Sequence, residues 1–284
     1  MRTGGGCAQM ALAMAECPDQ NSSWLQHMNA DPQRVYLGPV ACCTHTIPQL
    51  LAELETLLRD KSLRPRTILT VNAHIYNRAV DDPRLRGCLN EARIVTADGM
   101  AIVWAARLLG VRIPDRCNMT EAFRAFLLAR PMPPSRAILV GCGQEEAEAA
   151  AAEIRRLSTH CRVVKAFSGY FAESQYAEIL PEYKDADLIL LGMGTPRTEM
   201  TAQLAAEICP EAIVWGIGGG TVRIFAGTMR EAPVLWRRLG LQWLYRLLRE
   251  PRQLWHRYLI GNPLFGLRIL KMAWRRERPA KCPK

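Results

Sequence analysis

Ten cysteines are scattered through the 284 residues without a CxxC pair or any Cys/His spacing that suits a metal. That pattern argues against a zinc site and a disulfide framework, and it fits a reducing cytosol. No window approaches the eighteen or so apolar residues that a membrane-spanning helix needs, so an integral membrane protein is not expected. The apolar run from Met10 to Ala15 is short and has no basic flank, unlike a signal peptide. No Walker lysine follows any glycine turn, and Gly141-Cys142-Gly143 carries Glu146 where a dinucleotide fingerprint has its third glycine. Those two absences disfavour a P-loop nucleotidase and a nicotinamide dehydrogenase.

What is present is a chain that is 49% apolar, enough for a sizeable core. Residues 1–33 lack periodicity and are expected to form a disordered extension. From residue 34 to 232, apolar strand-like runs alternate with helical spacing. Arg34–Gly38 reads as a strand and Thr46–Arg59 as a helix. Thr67–His74 is strand-like, Ile75–Asn90 helical, and Ala137–Gly143 feeds a helix over Glu145–Leu157. Arg162–Phe167, Asp187–Gly194 and Ala212–Gly220 continue the series. Near-continuous apolar strands between helices indicate a buried parallel sheet with helices on both faces, an α/β fold.

The most informative stretch is Arg93–Gly110, where a β-branched run stops at Asp98-Gly99 and helical spacing begins at once. Asp98 therefore belongs at the carboxyl end of a strand, the edge where open α/β sheets bind ligands. Helix capping is the competing reading, since Asp is a favoured cap. Three strands of the series end in Gly-x-Gly, a turn that lets backbone N–H groups approach phosphate oxygens, although glycine also ends strands for packing reasons alone. Asp185-Ala186-Asp187 spells a metal-binding triplet, but Asp187 opens a strand at the wrong end of the sheet, so no metal site is expected there.

Residues 233–284 differ in composition. They hold ten arginines and three lysines against Glu250 and Glu277, so the net charge of +10 belongs to this tail and residues 1–232 are near neutral. Trp236, Trp243, Trp255 and Trp274 sit among the arginines with leucines at helical spacing. Such helices lie at a membrane interface, drawn to anionic lipid. A packed helical appendage and a single-strand nucleic-acid surface are the alternatives; the neutral body argues against nucleic acid. Gly261-Asn262-Pro263 is expected to break the tail into two helical pieces.

Thr70-Val71-Asn72-Ala73, Ala97-Asp98-Gly99, Asp115-Arg116, Gly169-Tyr170-Phe171, Gly192–Glu199, Gly218–Thr221, Ala226-Gly227 and Gly240–Leu247 resemble, in order, motifs of the WecG/TagA/CpsF family of bacterial glycosyltransferases. The resemblance implies a Rossmann-like, inverting enzyme that works without metal or other cofactor. Its implied reaction moves a hexose, N-acetylmannosamine, its uronic acid or glucose, from a UDP-sugar to a polyprenyl-diphosphate-linked sugar in surface polysaccharide assembly. It further implies a cytoplasmic protein peripheral to the inner face of the plasma membrane, with residues 233–284 docking on that anionic surface, and it leaves room for a homo-oligomer. Asp98 resembles the general base, Thr70 and Asn72 polar substrate contacts, and Arg116 the cation facing diphosphate. Tyr170, Gly194, Arg197, Glu199, Gly219 and Thr221 fall in the other substrate-binding motifs, and Arg246, Arg252, Arg257, Trp243 and Trp255 in the tail. The chain departs from the family pattern at Met119, Arg197, Thr198, Arg223, Gln253 and His256, and the changes at Thr198 and Arg223 keep a non-catalytic UDP-sugar-binding relative as an alternative.

Overall fold

Seven parallel strands carry the molecule, with one antiparallel strand added at an edge. The computed structural model describes residues 33–275, so the expected N-terminal extension lies outside the described residues except for Gln33. The chain runs β1 (Arg34–Leu37), β2 (Val40–Cys43), α1 (Ile47–Arg59), β3 (Thr67–Val71), α2 (Ala73–Asp81), α3 (Pro83–Glu91), β4 (Ile94–Ala97), α4 (Met100–Leu108) and α5 (Met119–Leu128). It continues through β5 (Ser135–Gly141), α6 (Gln144–Leu157), β6 (Cys161–Phe167), α7 (Glu173–Ile179), β7 (Leu188–Gly192), α8 (Arg197–Ile208), β8 (Ile213–Gly216) and α9 (Gly219–Phe225). Four helices close the described chain: α10 (Val234–Arg238), α11 (Gln242–Arg249), α12 (Pro251–Trp255) and α13 (Gly261–Trp274).

The sheet order is β1-β2-β4-β3-β8-β7-β5-β6. Only β1, the partner of β2, runs against the rest. Both faces are covered, as continuous apolar strands demand. On one face α1, α5 and α6 bury Leu50, Phe123 and Ile154 with Trp215; on the other α2, α3, α4 and α8 bury Ile75, Leu85, Ile102 and Ala202. All seven parallel strands end at one edge, which gathers Asn72, Asp98, Cys142, Ser168, Met193 and Ile217.

Two sequence expectations are corrected. The helical span over 75–90 is two helices, because Pro83 has no N–H and disfavours helical backbone at Asp82. Asp82 caps the second helix instead, its carboxylate accepting from the N–H groups of Arg84 at 2.9 Å and Leu85 at 3.3 Å. Gly261-Asn262-Pro263 does not break the tail. The helical chain passes through a wide π turn at His256–Ile260 directly into α13, whose first turn accommodates Pro263 because the early N–H groups of a helix need no partner. The interruptions fall elsewhere, at Gly240 with φ +72° and at Glu250-Pro251.

Part of the tail is built into the body. Phe265, Ile269 and Met272 of α13 are buried against α2, with the Phe265 and Tyr76 rings 5.1 Å apart edge to face. Arg268 donates to both oxygens of Asp81, and Asn77 donates to the Gly261 carbonyl at 2.6 Å. Among the described residues no helix is long and apolar enough to cross a membrane.

Candidate active site

β4 is four buried residues long, and its ladder continues one step further as the Asp98 N–H donates to Val71 O at 2.9 Å. Gly99 then takes φ +104°, a backbone region that side chains rarely tolerate, and α4 starts at the next residue. Gly99 is thus the cap position, and the Asp98 carboxylate is not spent on capping. It accepts from the side-chain amide of Asn118 at 3.2 Å. One strand over, Asn72 does cap: its Oδ1 accepts from the N–H groups of His74 and Ile75, both at 3.1 Å.

Asp98 faces a cavity of about 320 Å³. Asn72 and His74 close one side, and Arg116 and Asn118 from the α4–α5 connection another. Met100 and Trp104 of α4 line it too. The tail supplies the remaining wall through Gln242, Trp243, Arg246, Arg257, Tyr258 and Phe265. Arg116 is fixed by Glu121 at 3.2 Å and by Gln242 at 3.4 Å. Three guanidiniums therefore share the cavity with a single carboxylate, an arrangement that attracts an anionic ligand such as a diphosphate.

Burial holds the Asp98 carboxyl above its ordinary value, against the opposing pull of Arg116, Arg257, Arg246 and the Asn118 amide. A carboxylate so placed is a stronger base than one in water. His74 goes the other way: burial, then Arg257, Arg78 and His256, bring it to about 4, so it is neutral at physiological pH. Burial also lowers Arg257, with Arg246 acting in the same direction. The Nε atoms of Arg246 and Arg257 are buried without a protein partner.

The structure brings Asp98, Asn72, Arg116, Trp243, Arg246 and Arg257 to one cavity. It does not bring the other expected residues there. The Thr70 hydroxyl donates to Thr96 O at 3.2 Å, within the sheet. Arg252 and Trp255 lie exposed on α12. Tyr170, Gly194, Arg197, Glu199, Gly219 and Thr221 gather farther along the same edge, past β6, β7 and β8. Tyr170 is 70% exposed and lies 5.9 Å from the Arg197 guanidinium; Arg197 also donates to Phe171 O at 2.5 Å. Thr221 is buried and shares a 2.9 Å hydrogen bond with Thr120. Two of the glycines ending strands have a packing reason. A Cβ on Gly141 would meet Gly192 O at 2.7 Å, and one on Gly192 would meet Val222 at 2.3 Å. Arg246 links the two regions, since a Cβ on Gly220 would lie 3.7 Å from its Nη1.

Glu199 is 3% exposed. One oxygen accepts from the Thr195 hydroxyl at 2.8 Å and the other has no partner. Burial raises its carboxyl, so the folded state holds that proton more tightly than the unfolded chain. The corresponding stability is complete at low pH and is lost as pH rises through the folded value. Glu199→Gln should therefore gain on the wild type in urea unfolding at pH 7.5 relative to pH 5; an advantage that shrinks with rising pH contradicts that sign.

Asp185 and Asp187 lie at the opposite edge, where Asp185 pairs with Arg136, and Asp187 with Lys61 at 3.0 Å. Among the described residues no group of three or more His, Cys, Asp or Glu is arranged to hold a metal ion.

The sequence model of one family, described as the glycosyl transferase WecG/TagA/CpsF family, matches residues 35–279. The chain belongs to that family. As a member it is a glycosyltransferase, and the family in general uses a sugar donor and a lipid-linked acceptor. The match spans the sheet and the tail helices alike, so the cavity is built wholly from residues within it. Sequence reasoning left Asn118, Gln242, Tyr258 and Phe265 out of the site. Asn118 carried a signal, as an Asn before the helical spacing of Met119–Leu128, and Gln242 lay within the Gly240–Leu247 motif without being singled out.

Proposed function

We propose that this glycosyltransferase moves a hexose from a UDP-sugar to a sugar on a polyprenyl diphosphate, in a single inverting displacement with Asp98 as general base. The supporting observation is the cavity in which one half-buried carboxylate, Asp98, faces Arg116, Arg246 and Arg257. Asp98 takes the proton of the acceptor hydroxyl as the hydroxyl oxygen bonds to the anomeric carbon, and the bond from that carbon to the UDP oxygen breaks. One carboxylate suffices for this step, whereas a retaining double displacement needs a second group as nucleophile. The negative charge gathering on the departing UDP is met by the guanidiniums, whose charge is preorganised in a partly dry site.

The tail supports a peripheral membrane location. Leu235, Leu239, Leu248, Trp255, Leu259, Leu267, Leu270 and Trp274 are exposed on α10–α13, with Trp104 and Leu108 exposed on α4. Arg249 and Arg252 are exposed among them. Apolar side chains interleaved with arginine match the boundary of an anionic bilayer. Trp104 and Trp243 line the cavity and are exposed as well, which suits an acceptor whose diphosphate hangs from a lipid.

The test is UDP release from UDP-N-acetylmannosamine, its uronic acid and UDP-glucose, each offered with a synthetic prenyl-diphosphate-linked sugar. Release that requires both donor and acceptor, with an inverted linkage in the product, supports the reading. Retained stereochemistry overturns the single displacement.

A further inference from the structure

Asn118 is 7% exposed and every polar group of its side chain is engaged. Its Oδ1 accepts from the Glu121 N–H at 3.1 Å, capping α5. Its Nδ2 lies 3.2 Å from Asp98 Oδ1 and 3.4 Å from Gln242 Oε1. Because the amide carries two hydrogens, one can point to the carboxylate and the other to the tail. Gln242 opens α11 and also receives Arg116. The three side chains thus join the end of β4, the start of α5 and the start of α11 around Asp98.

We infer that Asn118 is a positioning residue for Asp98: its amide holds Oδ1, leaves Oδ2 to the acceptor hydroxyl, and ties that geometry to the seating of Gln242 on the tail. This rests on the assignment of Asp98 as base. An N–H donated to a carboxylate favours the ionised form, so Asn118 keeps Asp98 deprotonated at lower pH than burial alone would allow. The other groups facing Asp98 are Arg116 from the α4–α5 connection, Arg246 from α11 and Arg257 from the π turn, all favouring ionisation. Cys117 is protonated at neutral pH, burial having pushed its thiol up to about 12, and His74 is neutral. Asp115 is next to Arg116, whose N–H it accepts at 2.7 Å, and Glu121 pairs with the Arg116 guanidinium.

Asn118→Ala removes both the cap and the amide, and Asn118→Asp keeps an acceptor for the cap while replacing the amide by a like charge. The readout is the ¹³C carboxyl titration of Asp98 in the full chain, assigned by difference against Asp98→Asn, with thermal unfolding alongside. Both variants should raise the Asp98 midpoint, by roughly one pH unit or more for a lost charge-assisted bond. Asn118→Asp should shift it further and, because a raised carboxyl costs the folded state stability at neutral pH, should unfold closer to the wild-type temperature at pH 5 than at pH 7.5. Where turnover is measurable, the acid limb of kcat/KM should move up by the same interval. A folded Asn118→Asp with an unmoved Asp98 midpoint overturns the inference. A full turnover rate in Asp98→Asn would overturn the base assignment instead, whatever the titration shows.

Discussion

Asp98→Asn should lower kcat by about 10²–10⁴-fold, the usual range for losing a positioned general base, with UDP still bound and the fold unchanged. Asparagine matches aspartate in size, and its Oδ1 can still accept from Asn118, so the cavity keeps its shape. What disappears is the only carboxylate that lines the cavity among the described residues, and the guanidiniums there hold their protons. Affinity for UDP should not fall, because the substitution removes the negative charge of the one carboxylate that lines the cavity among the described residues. Stability should not fall either. Burial raises the Asp98 carboxyl, so its ionised form is a net cost to the folded state at neutral pH, and the amide lifts that cost. Single-turnover transfer and isothermal titration with UDP check the two halves. Turnover near the wild-type rate would remove Asp98 from the chemistry; turnover and UDP binding lost together would mean that the substitution had damaged the site.

Much of the sheet was readable because a strand covered on both faces has little choice of composition. Thr67–Val71, Ile94–Ala97, Leu188–Gly192 and Ile213–Gly216 are nearly all buried, and each stands out as an apolar run. β2 escaped because Val40–Cys43 is four residues long, follows Gly-Pro and pairs with β4 at a single position. The split at Pro83 and the cap at Asn118 were written in local chemistry but overshadowed by helical spacing around them.

The site was legible in its acid and partly in its cations. Asp98 follows from the strand-to-helix turn, since a strand that ends at Asp-Gly delivers its carboxylate to the ligand edge. Arg246 and Arg257 reach the same cavity for a reason the sequence does not display. Their approach depends on how α11 is seated and on the π turn that carries Arg257 inward while Arg252, five residues earlier, stays outside. The family motifs also treat as equals residues that the fold separates. Asn72 and Arg116 line the cavity, whereas Thr70 bonds within the sheet and Tyr170 and Arg197 lie past β6 and β7.

Replacing Leu267, Leu270 and Trp274 together by Glu should reduce partitioning onto anionic vesicles by 10²-fold or more while leaving thermal unfolding unchanged. These three sit on the side of α13 away from Phe265, Ile269 and Met272, and Trp274 is 87% exposed. Burying each such side chain in a bilayer boundary contributes about 1.5–3 kcal/mol, so losing three outweighs any single electrostatic contact. Truncation at Gly240 is a poorer test, because it also strips the buried face of α13 from α2 and so confounds unfolding with detachment. Salt separates the two attractions. Raising ionic strength should weaken wild-type binding through the arginines, each contributing about 1 kcal/mol near an anionic surface, yet leave the apolar share in place. Vesicle sedimentation at two salt concentrations therefore reads both. If the triple variant sediments as the wild type does, α13 does not face the bilayer; if the wild type fails to sediment at low salt, the membrane location itself falls, and the exposed stripe must meet another partner.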